Sequence, residues 1–338
     1  MKVVITKDEH NRLGFRDKFR KPKWEEAMLK KHQFISEYML NHGISIKLTT
    51  GDIFDKQKGW SFNQYRDNKK VFDVYKKSNQ EIWTIAGNHD YLEGRTSIED
   101  SVFEEYRNQN LIQHLSSTGW CFGDKDPESI VFGIDYISEK IKIQEEINKI
   151  STSSVFKNAK ENGINTILIL HANVTPDEER VTEFTYQELS KYNFDVIVCG
   201  HYHNGFSPSN INGTLFINPW NLWRVVRDYS VQTGEHTPEF VVLDLKTLEF
   251  EVVQVPHLNY TEAFDLKEID FYKKIKKETF SFFEKANLED MDIEEDLDDL
   301  QIIKEKLIKS SKIDISSITD EDLEWILSDL EERFKHEE

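Results

Sequence analysis

Five short stretches of this chain each place metal-capable side chains directly after a short apolar run, and no other feature constrains the fold as much. They are Asp8-Glu9-His10, Gly51-Asp52-Ile53-Phe54-Asp55, Gly87-Asn88-His89-Asp90, His171-Ala172-Asn173 and Gly200-His201-Tyr202-His203. The apolar runs ahead of them read as strands: Val3 to Thr6, Ile44 to Thr50, Glu81 to Ala86, Thr166 to Leu170 and Asp195 to Cys199. Ile130 to Ile134 is a further short β run. Helical stretches separate them. Lys23 to His42 has Pro22 near its start, Gly43 just past its end, and an apolar face of Trp24, Met28, Ile35, Tyr38 and Met39. Asn68 to Lys77 reads as a second helix. Alternating strands and helices argue for a layered α/β domain. In such a domain the C-terminal ends of strands converge on one crevice, so side chains remote in sequence can meet there. Three of the five stretches carry a glycine at the strand exit, where the backbone turns sharply or approaches closely.

The donor chemistry is coherent. Carboxylates, imidazoles and one carboxamide are borderline-hard ligands, which suit Mn²⁺, Fe²⁺ or Zn²⁺. Asp8 and His10, two residues apart, are expected on one side of an extended strand end, as are His201 and His203. Seven ligands are too many for one catalytic ion and match two ions that share a bridging carboxylate, roughly 3.5–4 Å apart. Each piece alone carries little: D-x-H and H-x-H are more often structural or exposed, and Asn88-His89-Asp90 also fits a turn. The ordered set at successive strand exits carries the reading.

Composition bounds the rest. The 338 residues allow about two domains, or one large domain with an appendage. With 43 basic and 62 acidic residues the net charge is −19, which argues against a generic basic nucleic-acid coat protein but leaves room for a local basic site. Cys121 and Cys199 form no disulfide framework or metal knuckle, which favours a reducing compartment. The N-terminal apolar run is shorter than a signal peptide requires, and there is no apolar run of about 18 residues, so the expectation is a cytoplasmic protein away from the membrane. Asn212 to Asn218, Phe240 to Leu245 and Glu249 to Val255 read as strands of a β-rich extension. Asp265 to Glu338 holds 24 acidic and 12 basic residues. Glu289 to Asp299 reads as a linker. Thr319 and Asp322 form a capping-box-like start, and Leu323, Ile326, Leu327, Leu330 and Phe334 form one helical stripe. That stripe packs on its own chain or docks on a partner.

The ordered series resembles the calcineurin-like metallophosphoesterase superfamily, whose pattern is D-x-H, G-D, G-N-H-[DE], H and G-H-x-H. Within it, the G-D-I-F-D and G-N-H-D segments are similar to the SbcD-type branch, the nuclease subunits of double-strand-break repair complexes, including those of large bacteriophages. Ile217 to Arg224 is similar to the stretch that leads into that branch's β-rich cap. The resemblance implies a four-layer α/β/β/α sandwich over residues 1–222, a small β-rich capping domain over 223–262 and an acidic helical tail over 263–338. It implies that Asp8, His10, Asp52 and His203 hold one metal, and that Asp52, Asn88, His171 and His201 hold the second, with Asp52 bridging. His89 would contact the scissile phosphate and assist the leaving oxygen, with Asp55 beside it. Some cellular relatives carry a histidine where Asp55 stands. Lys7 and Glu9 flank Asp8 where many relatives carry Ser or Asp and an aromatic residue or Leu.

DNA requires positive charge near the site. Arg12, Arg16, Lys18, Arg20, Lys21 and Lys23 form a basic segment beside two of the ligands, either a solvated loop or a phosphate-backbone contact; Arg12, Arg16, Arg20 and Lys21 are the candidates for substrate binding. Trp60, Phe62 and Tyr65 are base-stacking or core residues, and Arg224 and Arg227 face ligand or serve structure. The leading functional expectation is a two-metal DNA nuclease subunit, with Mn²⁺ preferred over Mg²⁺, Fe²⁺ or Zn²⁺. Its SMC-like ATPase partner would dock on the tail. A homodimer would use Ser61 to Lys77 and Arg95 to Gln113. The alternatives are a stand-alone phosphodiesterase or phosphatase on a small phosphoester, and a non-catalytic scaffold.

Overall fold

The computed structural model describes residues 1–13, 19–21, 24–55, 61–91, 97–99, 101–123, 126–178, 181–223, 229–271 and 273–274. It divides into two compact units, Met1–Ala263 and Phe264–Glu338. Of the second unit, residues 266–271 are helical. The Glu289 linker and the Leu323 to Phe334 stripe lie outside the described residues.

The first unit is built on two six-stranded sheets. Its strands are β1 (Lys2–Thr6), β2 (Ile46–Thr49), β3 (Glu81–Thr84), β4 (Gln113–His114), β5 (Trp120–Phe122), β6 (Ser129–Ile134) and β7 (Asn165–Ala172). They continue with β8 (Val174–Thr175), β9 (Phe184–Thr185), β10 (Val196–His201), β11 (Phe206–Ile211), β12 (Thr214–Asn218), β13 (Glu239–Asp244) and β14 (Phe250–Gln254). The first sheet has the order β14-β13-β1-β2-β3-β4 and the second β11-β12-β10-β7-β6-β5. In the first, β1 to β4 run parallel, as do β6, β7, β10 and β12 in the second. Parallel neighbours send their C-terminal ends, and the loops that follow, to the same side.

Side-chain alternation fixes the layers. Val3 and Ile5 of β1 join Leu48, Val131, Ile167, Ile169, Val196, Val198, Val241 and Leu243 in a core between the two sheets. Val4, between them, faces the other way. It packs with Ile35 and Met39 of α1 (Trp24–Asn41), Val71 and Phe72 of α2 (Phe62–Lys77), and Phe240 and Val242. On the far side, Phe132, Leu168, Leu170 and Ile197 pack against Ile143 and Ile147 of α4 (Lys140–Thr152) and Phe156 of α5 (Ser154–Glu161); α3 (Val102–Asn108) lies with α1 and α2. The order is helix, sheet, sheet, helix. The inner strands of both sheets are covered on both faces, which is why they read as continuous apolar runs.

Two expectations change. The α2 helix begins at Phe62, six residues before Asn68, because Ser61 caps it: its hydroxyl accepts from Gln64 N and the Gln64 side chain accepts from Ser61 N. The strands expected in a separate cap instead extend the first sheet, β13 pairing antiparallel with β1 in the register Lys2↔Asp244 to Ile5↔Val241. The reason is burial: Phe240, Val241, Val242 and Leu243 are covered on both faces, as an inner strand requires and a small exposed cap cannot provide.

Candidate metal centre

The centre forms where β1, β2, β3, β7 and β10 end. Its local backbone is unusual. Asp8, His10, Asp52 and His201 have φ values of 40°, 43°, 47° and 81°, in the left-handed region that costs non-glycine residues about 1 kcal/mol or more each. The pairs Asp8/His10 and His201/His203 are therefore not on extended strand ends, as their spacing suggested; the chain coils back at each ligand. Cross-links hold these turns. His10 N donates to Asp52 O at 2.8 Å and Asn11 N to Ile53 O at 2.7 Å. His201 N donates to Asp8 Oδ2 at 2.9 Å, and His89 N to Asp52 Oδ1 at 2.8 Å.

Two glycines permit the closeness. A Cβ on Gly87 would lie 2.1 Å from Asp52 Oδ1, and one on Gly200 would lie 2.4 Å from Thr50 Oγ1 and 2.8 Å from Asp8 Oδ1. Asp90, whose role sequence reasoning missed, organises the third loop from a fully buried position: its carboxylate accepts from Gly87 N at 2.8 Å and Phe54 N at 3.0 Å. Burial and the neighbouring Asp52 push its carboxyl up to about 7. Asp135, also missed, holds the same loop by accepting from Ala86 N at 2.7 Å, with His114 Nε2 at 2.8 Å from it. Asp135 has no signal in its own segment, since it acts through the amide of Ala86; Asp90 closes the G-N-H-[DE] pattern, but that pattern does not show its reach to Phe54 N in another loop.

The donor atoms converge as two groups that share Asp52. One contains His10, Asp52 and His89, the other Asp52, His171 and His201, and within each the donor atoms lie within 4.8 Å of one another. His203 joins the first, its Nε2 3.1 Å from His10 Nε2. Asn88 joins the second, its Oδ1 3.0 Å from His171 Nε2. Asp8 lies beneath them, accepting from His201 N and from Thr50 Oγ1, the latter at 3.3 Å. All seven sequence-expected ligands thus come together.

The set fits two divalent cations by its chemistry. His171 Nδ1 lies 2.8 Å from Thr50 O, which accepts its proton and leaves Nε2 as a lone-pair donor facing Asp52 Oδ2 at 3.3 Å. Burial depresses His10, and burial with the neighbouring His171 takes His201 down to about 4, so both are neutral imidazoles near pH 7. At His171 burial is outweighed by Asp52 and Asp8, and the group titrates at about 9. A proton and a cation therefore compete for the same carboxylate-rich pocket.

His89 is about a quarter exposed and edges onto His10, with ring centroids 4.7 Å apart. Its Nδ1 lies 3.2 Å from Asp55 Oδ1, and Arg12 Nη1 lies 2.9 Å from Asp55 Oδ2. Burial opposes protonation of His89, but Asp55 and Asp52 outweigh it and raise its pKa. Of the residues expected to contact substrate, Arg12 is the one among the described residues that is placed here, and it is paired with Asp55. Arg20 is placed elsewhere, its guanidinium 4.4 Å over the Trp223 ring, and Lys21 donates to Thr261 O. Arg16, Lys18, Lys23, Trp60, Arg224 and Arg227 lie outside the described residues. Phe62 is exposed, and Tyr65 packs on Tyr106 at 5.1 Å.

The chain belongs to the calcineurin-like phosphoesterase family: that family's model matches residues 6–205, more than half of its length. It is a metallophosphoesterase-type hydrolase with a donor set for two metals. Among solved structures, a dimetal phosphatase from Danio rerio is similar in fold, with a TM-score of 0.51 and 11% identity over 77% of this chain and 97% of that one. No match was found among curated proteins. Among the described residues, no helix is long and apolar enough to cross a membrane.

Proposed function

We propose that the chain is a DNA phosphodiesterase, the nuclease subunit of an end-processing complex whose SMC-like ATPase docks on the C-terminal tail, and that it works in the cytoplasm with Mn²⁺. The observation that carries this reading is the Arg12–Asp55–His89 chain beside the shared carboxylate. A sugar oxygen leaves poorly from phosphorus unless it is protonated, and Asp55 and Asp52 favour the acid form of His89 next to the two donor groups by raising its pKa. Two cations held by Asp8, His10, Asp52, Asn88, His171, His201 and His203 would neutralise the phosphoester oxygens and acidify water. His89 keeps Nδ1 at ion-pair distance from Asp55 and would present Nε2–H to the leaving oxygen. General-acid assistance of this kind is typically worth about 10²–10⁴-fold. Asp55 then keeps the ring oriented, and Arg12 keeps Asp55 in place.

The test is degradation of end-labelled linear DNA by the purified chain with Mn²⁺, beside a His89→Ala variant and a generic phosphodiester. Cleavage of DNA by the wild type and a loss of about 10²-fold or more in the variant support the reading. Cleavage of the generic ester alone, with or without an ATPase subunit, removes DNA as substrate and leaves a small-molecule phosphodiesterase.

A further inference from the structure

Lys7 separates β1 from the first ligand, Asp8, and its side chain is completely buried. A buried ammonium costs several kcal/mol unless its protons are matched. Here all three are matched, by acceptors from two other segments. Nζ donates to Tyr202 O at 2.8 Å, to Asn204 O at 3.1 Å and to Asn218 Oδ1 at 2.5 Å. Tyr202 and Asn204 bracket His203, and Asn218 ends β12 in the second sheet.

We infer that Lys7 is a positioning residue that clamps the His201–His203 turn from beneath and so sets the cation affinity of the group containing His203. The turn needs such a clamp. His201 is left-handed, at φ 81°, and lies at the end of β10. Beyond Asn204 the backbone is pressed against Trp220, where a Cβ on Gly205 would meet Trp220 N at 2.5 Å. The ammonium fixes the two peptide carbonyls on either side of His203, and with them the direction in which His203 leaves the backbone toward His10. The same residue is covalently next to Asp8, whose carboxylate accepts from His201 N. One side chain thus couples the β1 ligands of the first sheet to the β10 ligands of the second. A positive charge near a cation site would by itself weaken cation binding, so the positioning and charge effects have opposite signs.

This inference rests on the ligand assignment above, and the experiment separates the two. Metal-stripped full-length protein is titrated calorimetrically with Mn²⁺ alone, for the wild type, Lys7→Met, Asn218→Ala and His203→Ala, with circular dichroism to verify the fold. The expected result is two equivalents in the wild type. In Lys7→Met one equivalent keeps its affinity and the other weakens 10–100-fold, the same one that His203→Ala weakens. A merely structural role would lower the unfolding midpoint of the metal-free protein without separating the equivalents. Two equivalents at wild-type or higher affinity in folded Lys7→Met overturn the inference. Should Lys7→Met not fold, the milder Asn218→Ala decides: selective weakening of the same equivalent supports the clamp, and wild-type affinity at both overturns it. A wild type that binds no Mn²⁺ overturns the ligand assignment and this inference together.

Discussion

At the scale of single residues, the chemistry depends on how much of the charge on His89 comes from Asp55. Asp55→Asn keeps the shape and removes the carboxylate that faces both Arg12 and His89. Mn²⁺ stoichiometry should be unchanged, because Asp55 belongs to neither donor group. Turnover of a phosphodiester should fall about 10–100-fold, and the alkaline limb of its pH profile should move to lower pH, because the acid form of His89 loses its stabilising neighbour. An unmoved limb would mean that His89 is not the proton donor. The convergence of the seven candidate positions was legible in the sequence because each is a local pattern at a strand exit. The left-handed turns at Asp8, His10, Asp52 and His201 were not, because none is a glycine. They persist only through cross-links such as His201 N to Asp8 that no single segment contains.

At the scale of elements, two predictions concern what ties strands and helices under the centre. Gly87 has φ −88°, so alanine fits the local backbone conformation, and the penalty is the methyl group, which would sit 2.1 Å from Asp52 Oδ1 and 2.3 Å from Asp52 N. Gly87→Ala should keep its far-ultraviolet spectrum and lose Mn²⁺ affinity by about 100-fold, comparable to losing an outer partner of a ligand. Wild-type affinity would show that Asp52 is free to shift. Below the centre, β1, β2 and α1 meet in a buried polar knot. Lys47 Nζ lies 2.5 Å from Glu9 Oε1, and Asn11 Nδ2 lies 3.2 Å from Glu9 Oε2. His32 Nε2 donates to Asn11 Oδ1 at 2.9 Å, so Nδ1 accepts from the Tyr75 hydroxyl at 3.0 Å, and the ring is neutral.

Burial drives His32 down to about 3, while Glu9, where Lys47 and His32 outweigh burial, falls to about 2. Between pH 6.5 and 3 the unfolded chain binds a proton at His32 that the folded chain refuses. The stability from this residue is complete above about pH 6.5 and falls as pH drops. The Glu9 contribution is lost only below about pH 4.5, so between 6.5 and 4.5 His32 acts without Glu9, and comparison with a His32 variant separates it from His201 and Asp90, which titrate in the same window. In urea unfolding of metal-free protein, His32→Gln should remove about 1 kcal/mol per pH unit of slope in that window; an equal slope in both proteins would assign the acid sensitivity elsewhere. None of this was legible from α1's apolar stripe. The periodicity placed Met28, Ile35 and Met39 inward, but it could not show that Lys31, His32 and Ser36 share their face, because the partners that satisfy them come from other elements.

At the scale of the molecule, the layered architecture was legible because the inner strands of both sheets are covered on both faces and read as short apolar runs. The place of β13 and β14 was not, because only pairing with β1 separates an inner strand from a cap. Charge is the remaining whole-chain property that bears on function. A net charge of −19 repels DNA, so productive contact depends on a few cations around the centre, with Arg12 at its edge. For about three phosphate contacts, the salt dependence of duplex binding predicts a loss of roughly 40-fold in apparent affinity between 50 and 200 mM salt. A small phosphodiester, which engages the centre without tracking a backbone, should lose little over the same range. The comparison is made on one preparation, by kcat/KM at each salt concentration with Mn²⁺ held constant. Parallel salt curves for the two substrates would place DNA on the same footing as any ester and favour a small phosphoester as the natural substrate. A steep curve for DNA alone would show that this acidic chain carries a confined cationic track leading to its metal centre.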